Sequence, residues 1–579
     1  MIYFFFLYMA RDTFFILEMT TMPGFLFTLY WSAVFVFISL SLPKIFGMIF
    51  YSLVGFMHIF MSITHIVCLK ATDKFFSFSL LTMKSEGKGY IKDAILSVNT
   101  GLWLYVMLVV AFFVLGIYFL ARREIKRIKG ICVPIGIFLM IPLHFLVVTD
   151  LGKNDKSWDA DWRLPRGIYE SYIDKDKAFL VSGITEYTIK DLYLYCTKTG
   201  KKISDKDKAF LDGIFSEERW HVPNGYTGLY KGKNLILIQF EGLDNWLLDD
   251  EHTPYINKLR SEGADFTRHY SYAVNGATLN SEFCVNTGFI KPYLYEESAT
   301  AFLGNEMPYS IAEMFRKEGY GSINAYHMNK GAYYSRSAAY GNWGYDAYNG
   351  LYDRKDYGLI YPTEVMLDSF LLDENGFGNE IFTHEEPFVS EIITYTVHCD
   401  FSPDDKRVKA LMEKFGTDAP KTAEEVARLF VRETDDFVRL LIERLKENGL
   451  YDDTVIVGYA DHYLVSLSDD APIRKYKGNG NERNNTPFFI WDSKGLLKGV
   501  NDKINSQTDI LPTLLNLFGI RYDENWYMGN DIFDEDYKGY VIFHNMEMKT
   551  DEGISPVTED MMKIINKNDL ILMADYFRK

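Results

Sequence analysis

Three short stretches carry residue types that can do chemistry together. The apolar run Leu235 to Phe240 stops directly on Glu241, and Val455 to Tyr459 stops, one alanine later, on Asp461 and His462. Two carboxylates and an imidazole are the donor mix of a site for Mn, Zn or a related divalent ion. Between them lies Asn275 to Phe283, NGATLNSEF. A small, glycine-containing turn that opens a helix offers unpaired backbone N–H groups to an anion and exposes the Thr278 hydroxyl beside it. The plainer alternative is a threonine that caps the helix. Singly, an acid at a strand end also fits a solvated loop and an Asp-His pair fits polar surface, so the weight rests on their meeting at one edge.

The elements that create such an edge are legible. Leu235 to Phe240, Ser322 to Tyr326, Phe388 to Tyr395, Thr454 to Tyr459, Phe488 to Trp491 and Tyr540 to Phe543 read as strands, several of them without a polar face. Between them Ile311 to Glu318, Ala423 to Asn448 and Thr508 to Phe518 show helical apolar spacing with charges on the other face. Buried strands alternating with helices predict an α/β fold, a mostly parallel sheet sandwiched by helices. Ligands of such sheets sit beyond the carboxyl ends of the strands, where Glu241, Asp461 and His462 fall.

The chain has 579 residues, enough for at least two units at roughly 100 to 200 residues per domain, and its aromatic residues, 16% of the whole, are denser before Asp150 than after it. A transmembrane anchor of about five helices is predicted over 1–150, a linker with helices (Lys177 to Val181, Thr188 to Cys196) over 151–225, and a catalytic domain over 226–579. A bilayer core needs about 20 apolar residues per helix. Gly24 to Leu42, Ile45 to Leu69, Leu102 to Ala121 and Ile131 to Val148 supply them, whereas Ile2 to Met19 is interrupted by Arg11, Asp12 and Glu18. The eight residues Arg122 to Lys129 hold five basic ones, which places that loop in the cytoplasm and everything after Asp150 outside. A net charge of -17 argues against nucleic acid as a partner. The five cysteines include no C-x-x-C pair, so no disulfide framework is expected.

The ordered motifs resemble the lipoteichoic acid synthase type of phosphoglycerol transferase, in the alkaline phosphatase and sulfatase superfamily. Its nucleophile motif G-x-T-x-x-S-E-F stands here as Gly276 to Phe283, its first metal acid as Glu241 and its D-H-Y pair as Asp461 and His462. Its H-x-N-x-x-x-x-x-x-R stretch ahead of an aromatic-G-Y-D appears as His327, Asn329 and Arg336 before Trp343 to Asp346, and its substrate histidine as His398. Asn485 to Trp491, Ser506 to Phe518 and Met528 to Phe533 extend the likeness. Ala460 replaces the usual glycine and Val397 a polar residue or proline. No C-x-P-x-R motif supplies a formylglycine precursor, which disfavours a true sulfatase.

The resemblance implies that Thr278 attacks phosphatidylglycerol, expels diacylglycerol and passes the covalently held phosphoglycerol to a glycerol-phosphate polymer or glycolipid acceptor of a Gram-positive envelope. Metal ligands would be Glu241, Thr278, Asp461 and His462, around one divalent ion, Mn2+ by preference with Mg2+ or Zn2+ as alternatives. Substrate contacts would be Arg336, as a bidentate phosphate grip, with His398, His327 and Trp343. Competing readings are a phosphoethanolamine or other head-group transferase of the same fold, and a catalytically silent module that binds teichoic acid.

Overall fold

The computed structural model describes residues 24–72, 75–78, 100–122, 128–153, 164–172, 175–198, 203–272, 278–293, 299–354, 363, 366–382, 387–398, 401–464, 467, 471–478 and 480–578. Ile2 to Met19, most of the basic loop after Arg122, and Asn275 to Ala277 lie outside the described residues. The chain divides into two compact units, residues up to 201, and 202–292 with 298–579.

In the first unit, helices Phe25–Ser41, Lys44–Thr72, Thr100–Ala121 and Cys132–Asp150 occupy the apolar stretches. Among the described residues, Lys44–Leu69 (26 residues) and Cys132–Asp150 (19 residues) are long and apolar enough to cross a bilayer, and Phe25–Ser41 is shorter. A bundle of about five spans is thus more than the described residues establish. The region expected as a linker contributes helices Pro165–Ser171 and Lys175–Lys198, the latter kinked at Gly183, whose φ is 72°. The second helix carries Glu186, a buried carboxylate. It accepts from Trp31 Nε1 at 2.7 Å and Tyr169 OH at 2.6 Å, and lies 3.2 Å from His144 Nε2. Burying an acid is costly without such partners, so this carboxylate orders the helices whose donors it takes.

The second unit is built on a sheet with helices on both faces. Its strands are β1 (Asn234–Phe240), β2 (Ala264–Phe266), β3 (His269–Tyr270), β4 (Ser322–His327), β5 (Ala347–Gly350), β6 (Phe388–Ile393), β7 (Thr454–Ala460), β8 (Phe488–Asp492) and β9 (Gly499–Asn501). Apart from β3, they form one eight-stranded sheet in the order β5-β4-β6-β1-β7-β8-β2-β9. β8 is antiparallel to both of its neighbours, and every other pairing is parallel. The sheet is therefore mostly parallel, as apolar periodicity predicted, and is mixed only through β8, whose direction that periodicity does not carry. The stretch Tyr540 to Phe543 departs from expectation: Val541–Ile542 belongs to a separate three-stranded antiparallel sheet with Glu547–Thr550 and Gly553–Pro556.

Both faces of the main sheet are covered, which is why β1 and β7 read as unbroken apolar runs. Leu235 and Leu237 face one core with Leu279 and Phe283 of helix Thr278–Thr287 and Ile510 and Leu514 of helix Gln507–Leu517. Ile236, Ile238 and Phe240 face the other with Val426, Phe430, Phe437 and Leu441 of helix Ala423–Glu447. Each such side chain contributes about 1.5 to 3 kcal/mol when fully buried. Helix Ala423–Glu447 starts at a capping box formed by Thr422 and Glu425. Gly458 lets β7 pass under two rings, since a Cβ there would lie 2.4 Å from Phe489 and 2.9 Å from Phe240.

Candidate functional site

The central strands deliver the site. β1 and β7 pair in parallel with Phe240 opposite Ala460, so Glu241 and Asp461 leave the sheet side by side. Gly242, with φ of 56°, turns the chain sharply and donates its N–H to Asp461 Oδ1 at 2.9 Å. The His462 N–H donates to the same oxygen at 2.7 Å. With Oδ1 held twice, Asp461 Oδ2 is buried and accepts no hydrogen bond, and His462 Nε2 is in the same position. These two atoms lie 3.2 Å apart, with Glu241 Oε1 3.5 Å from the imidazole nitrogen. His462 Nδ1–H donates to the Tyr463 carbonyl at 2.8 Å, which orients the ring so that Nε2 faces the carboxylates. Thr278 begins helix Thr278–Thr287 and donates its hydroxyl to Glu241 Oε2 at 3.1 Å.

Burial and like charge act together on this set. Burial and the neighbouring Glu241 carboxylate push Asp461 up to about 7. Burial opposes a charge on His462, but the Asp461 and Glu241 carboxylates outweigh it and raise its pKa. Ligand atoms of Glu241, Asp461 and His462 lie within 4.8 Å of one another. Two carboxylates, an imidazole and two buried atoms without hydrogen bonds fit a divalent cation, which would meet all of these needs at once.

Neighbours fix the frame. Ser281, on the same helix as Thr278, donates to the Asp461 carbonyl at 2.6 Å, and Gln507 Nε2 donates to the Ala460 and Asp461 carbonyls at 3.0 Å each. Thr394 Oγ1 accepts the Glu241 N–H at 2.9 Å. The helix bearing the hydroxyl and the strand end bearing the acids are thus tied directly together.

His327, at the end of β4, is buried and donates Nδ1–H to the Ile393 carbonyl at 2.8 Å, while Asn329 Nδ2 donates to Nε2 at 3.2 Å. Burial first, and then the charge of Arg336, hold it well below the usual histidine range, so it is a neutral ring. His398 is partly exposed, its ring stacked on Tyr395 at 5.0 Å. Arg407 Nη1 donates to the Thr396 and His398 carbonyls at 3.0 and 2.9 Å, and its Nε and Nη2 pair with Asp405. His327 feels the charges of both Arg336 and His398, and His462 feels that of His398, so these groups share one neighbourhood.

Two sequence expectations change. Arg336 has its two-pronged face occupied: Nε and Nη2 bind Glu282 at 2.9 and 2.6 Å, in a pair with both side chains buried. Trp343 is fully buried in the core, its ring against Phe283 and Tyr340, which is a packing position. The aromatic groups beside Arg336 are instead Tyr334 and Tyr333, 4.9 and 5.8 Å from the guanidinium carbon to the ring centres. Tyr334 and Ser335 both hold positive φ of 56°, a strained conformation for side-chain-bearing residues. Arg407 and the tyrosine pair were not singled out in sequence, and Glu282 was read only as a letter of the nucleophile motif, although it stands four residues after Thr278, one helical turn along the same face.

A second acid–histidine group among the described residues joins His221, Asp531 and Asp534. Here the oxygens are already engaged. Asn224 and Asn516 each donate to Asp531 Oδ2 at 2.7 Å, and His221 Nε2 lies 2.9 Å from Asp534 Oδ1. This group is a hydrogen-bonded clasp.

Residues 233–520 match the family model described as Sulfatase. Over 523 residues the chain is 26% identical to lipoteichoic acid synthase 1 of Bacillus subtilis, covering 86% of this chain and 77% of that protein. Over 356 residues it is 29% identical to lipoteichoic acid synthase of Staphylococcus aureus, covering 58% of this chain and 53% of that one, about half of its length. Among solved structures, a lipoteichoic acid synthase from Listeria monocytogenes aligns at a TM-score of 0.48 and 20% identity, over 63% of this chain and 96% of its own.

Proposed function

The chain is a lipoteichoic acid synthase-type member of the alkaline phosphatase and sulfatase superfamily, and from that premise we propose that it transfers phosphoglycerol from phosphatidylglycerol to a cell-envelope acceptor through Thr278. The observation that carries the reading is the Thr278 hydroxyl, 3.1 Å from Glu241 Oε2 and beside the Asp461 and His462 atoms that lack hydrogen bonds. A free threonine hydroxyl is a poor nucleophile and needs activation by its surroundings.

Enzymes of this superfamily use a divalent metal, and Glu241, Thr278, Asp461 and His462 are the residues to hold one here. When bound, a cation such as Mn2+ supplies the positive charge that favours the threonine alkoxide and offsets charge on the phosphate. Thr278 Oγ attacks phosphorus in line; the bond to the diacylglycerol oxygen breaks as the bond to threonine forms. The hydroxyl proton passes along its hydrogen bond to Glu241 Oε2 and returns to Thr278 Oγ when the second attack frees it, while His398, at the open side, gives a proton to the leaving oxygen and takes one from the acceptor hydroxyl in the second step. That second attack releases Thr278 and leaves phosphoglycerol on the acceptor. Arg336 offers a hydrogen-bond donor toward the phosphate, and His327, neutral and hydrogen-bonded on both nitrogens, lies near both Arg336 and His398. The apolar helices of the first unit serve as a tether to the outer face of a Gram-positive membrane, where the lipid donor is concentrated.

Intact mass of the full-length protein in detergent, after incubation with Mn2+ and phosphatidylglycerol, tests this. A gain of one phosphoglycerol unit in wild type and none in Thr278→Ala is expected. A folded, metal-loaded protein that gains nothing and releases no diacylglycerol sinks the donor assignment, and an adduct of different mass identifies another head group.

A further inference from the structure

Arg336 has three guanidinium nitrogens, and the structure treats them unequally. Nε and Nη2 are both taken by the Glu282 carboxylate, whose Oε2 also accepts the Tyr340 hydroxyl at 3.1 Å. Nη1 is buried and makes no hydrogen bond. A buried charged donor left in that condition is costly, and an arginine held in a fork by one carboxylate has little freedom to move its remaining nitrogen. Glu282 follows Thr278 by four residues on helix Thr278–Thr287, so the nucleophile and the carboxylate that grips the arginine share one face of one helix.

We propose that Glu282 is a positioning residue: it holds Arg336 by Nε and Nη2 so that Nη1 alone is presented to the transferred phosphoryl group, and it registers that donor on the helix that carries the nucleophile. This rests on the reading of Thr278 as nucleophile and Arg336 as phosphate contact. The rings of Tyr334 and Tyr333 lie 4.9 and 5.8 Å from the guanidinium carbon, and the Tyr348 hydroxyl is a further polar neighbour of Arg336. Behind the pair sits a second buried carboxylate, Glu391, bound by Asn286 Nδ2 at 3.0 Å and Tyr345 OH at 2.6 Å. Burial pushes it up to about 7, with the nearby Glu282 charge adding to the rise. Arg336 and Glu282 therefore balance each other, and the anion meets an arginine whose place is fixed and whose net charge is offset.

Positioning and scaffolding give opposite signs in one variant. Glu282→Gln keeps shape but removes the balancing charge, leaving a misaligned arginine with its full positive charge. In full-length, Mn2+-loaded protein, kcat for diacylglycerol release is expected to fall about 100-fold, as for a displacement of about 1 Å, with KM within about threefold. Affinity for inorganic phosphate, measured by thermal shift, stays level or tightens. Adding Arg336→Lys costs little more than the worse single variant, because both remove one unit of alignment. If Glu282→Gln does not fold, Glu282→Asp takes its place: the charge stays, the arginine is drawn back, and kcat falls with phosphate affinity retained. Unchanged kcat, losses that multiply, or phosphate affinity that drops together with kcat and Tm would overturn the proposal. Should wild type release no diacylglycerol, the donor assignment falls separately, and phosphate affinity that is indifferent to Arg336→Ala would then overturn the role of Glu282.

Discussion

Raising the pH is expected to loosen the segment that leads into β1, through the clasp at His221. Its Nε2 lies 2.9 Å from Asp534 Oδ1 and 3.4 Å from Asp531 Oδ2, and its ring stacks on Tyr522 at 4.8 Å. Burial pulls the imidazole down, but the hydrogen bonds and charges of Asp531 and Asp534 outweigh it and hold it at about 9, against an ordinary 6.5. Because the folded value is the higher one, the stabilisation is complete below pH 6.5 and is lost as the pH climbs through about 9. At about 1.4 kcal/mol per pH unit that interval sets a ceiling near about 3 kcal/mol. Solvent at Asp534, whose side chain is 27% exposed, trims it to about 1 to 2 kcal/mol. The local opening free energy is readable by hydrogen exchange at the His221, Gly228 and Tyr230 amides, which donate to the carbonyls of Tyr522, Asn516 and Leu517. After correction for intrinsic exchange, wild type should lose this amount between about pH 6 and about pH 10 while His221→Gln stays flat. Identical pH profiles in the two proteins would refute the reasoning.

Three further outcomes are expected. Asp461→Asn weakens Mn2+ binding by at least about 100-fold in calorimetry, yet unfolds no earlier than metal-free wild type, because one of two crowded buried acids is gone. Arg407→Met, which breaks the Asp405 pair and the bonds to the Thr396 and His398 carbonyls, destabilises by about 3 kcal/mol in denaturant unfolding and lowers kcat; Arg407→Lys restores part of both. Gly458→Ala drives a methyl into Phe489 and Phe240 and costs about 1 to 3 kcal/mol in thermal unfolding, with Phe489→Leu relieving most of it.

Much of the framework was legible because burial on both faces leaves strands without polar residues, so that an acid ending such a run marks the rim of the sheet. Glu241 and Asp461 stood out for that reason, and the helices between strands announced themselves by apolar spacing. What escaped the sequence depends on contacts distant along the chain. The direction of β8 leaves no periodic trace. The grip of Glu282 on Arg336 joins residues 54 positions apart, and nothing local says that a lone arginine has its fork already filled. Trp343 and the Tyr333–Tyr334 pair are alike as aromatic groups near Arg336; only the packing of Trp343 against Phe283 and Tyr340 separates a core ring from rings that line the guanidinium.

The parallel pairing of β1 with β7 has a kinetic side. The two strands that supply the acids are joined by hydrogen-bonding neighbours 220 residues apart, as between Gln239 and Tyr459. Closing a loop of that length costs about 5 kcal/mol of chain entropy before any contact across it is made, and β6 and β4 have to be in place on the other side of β1 for the sheet to be continuous. Glu241 therefore emerges early in synthesis and has no companion until β7 arrives. A chain cut short before Thr454 would carry the hydroxyl, the arginine and one acid, and still be unable to retain a cation. Capture of a cation by this set would in this sense be a late checkpoint, an event that reports completed assembly of the sheet and adds stability to it.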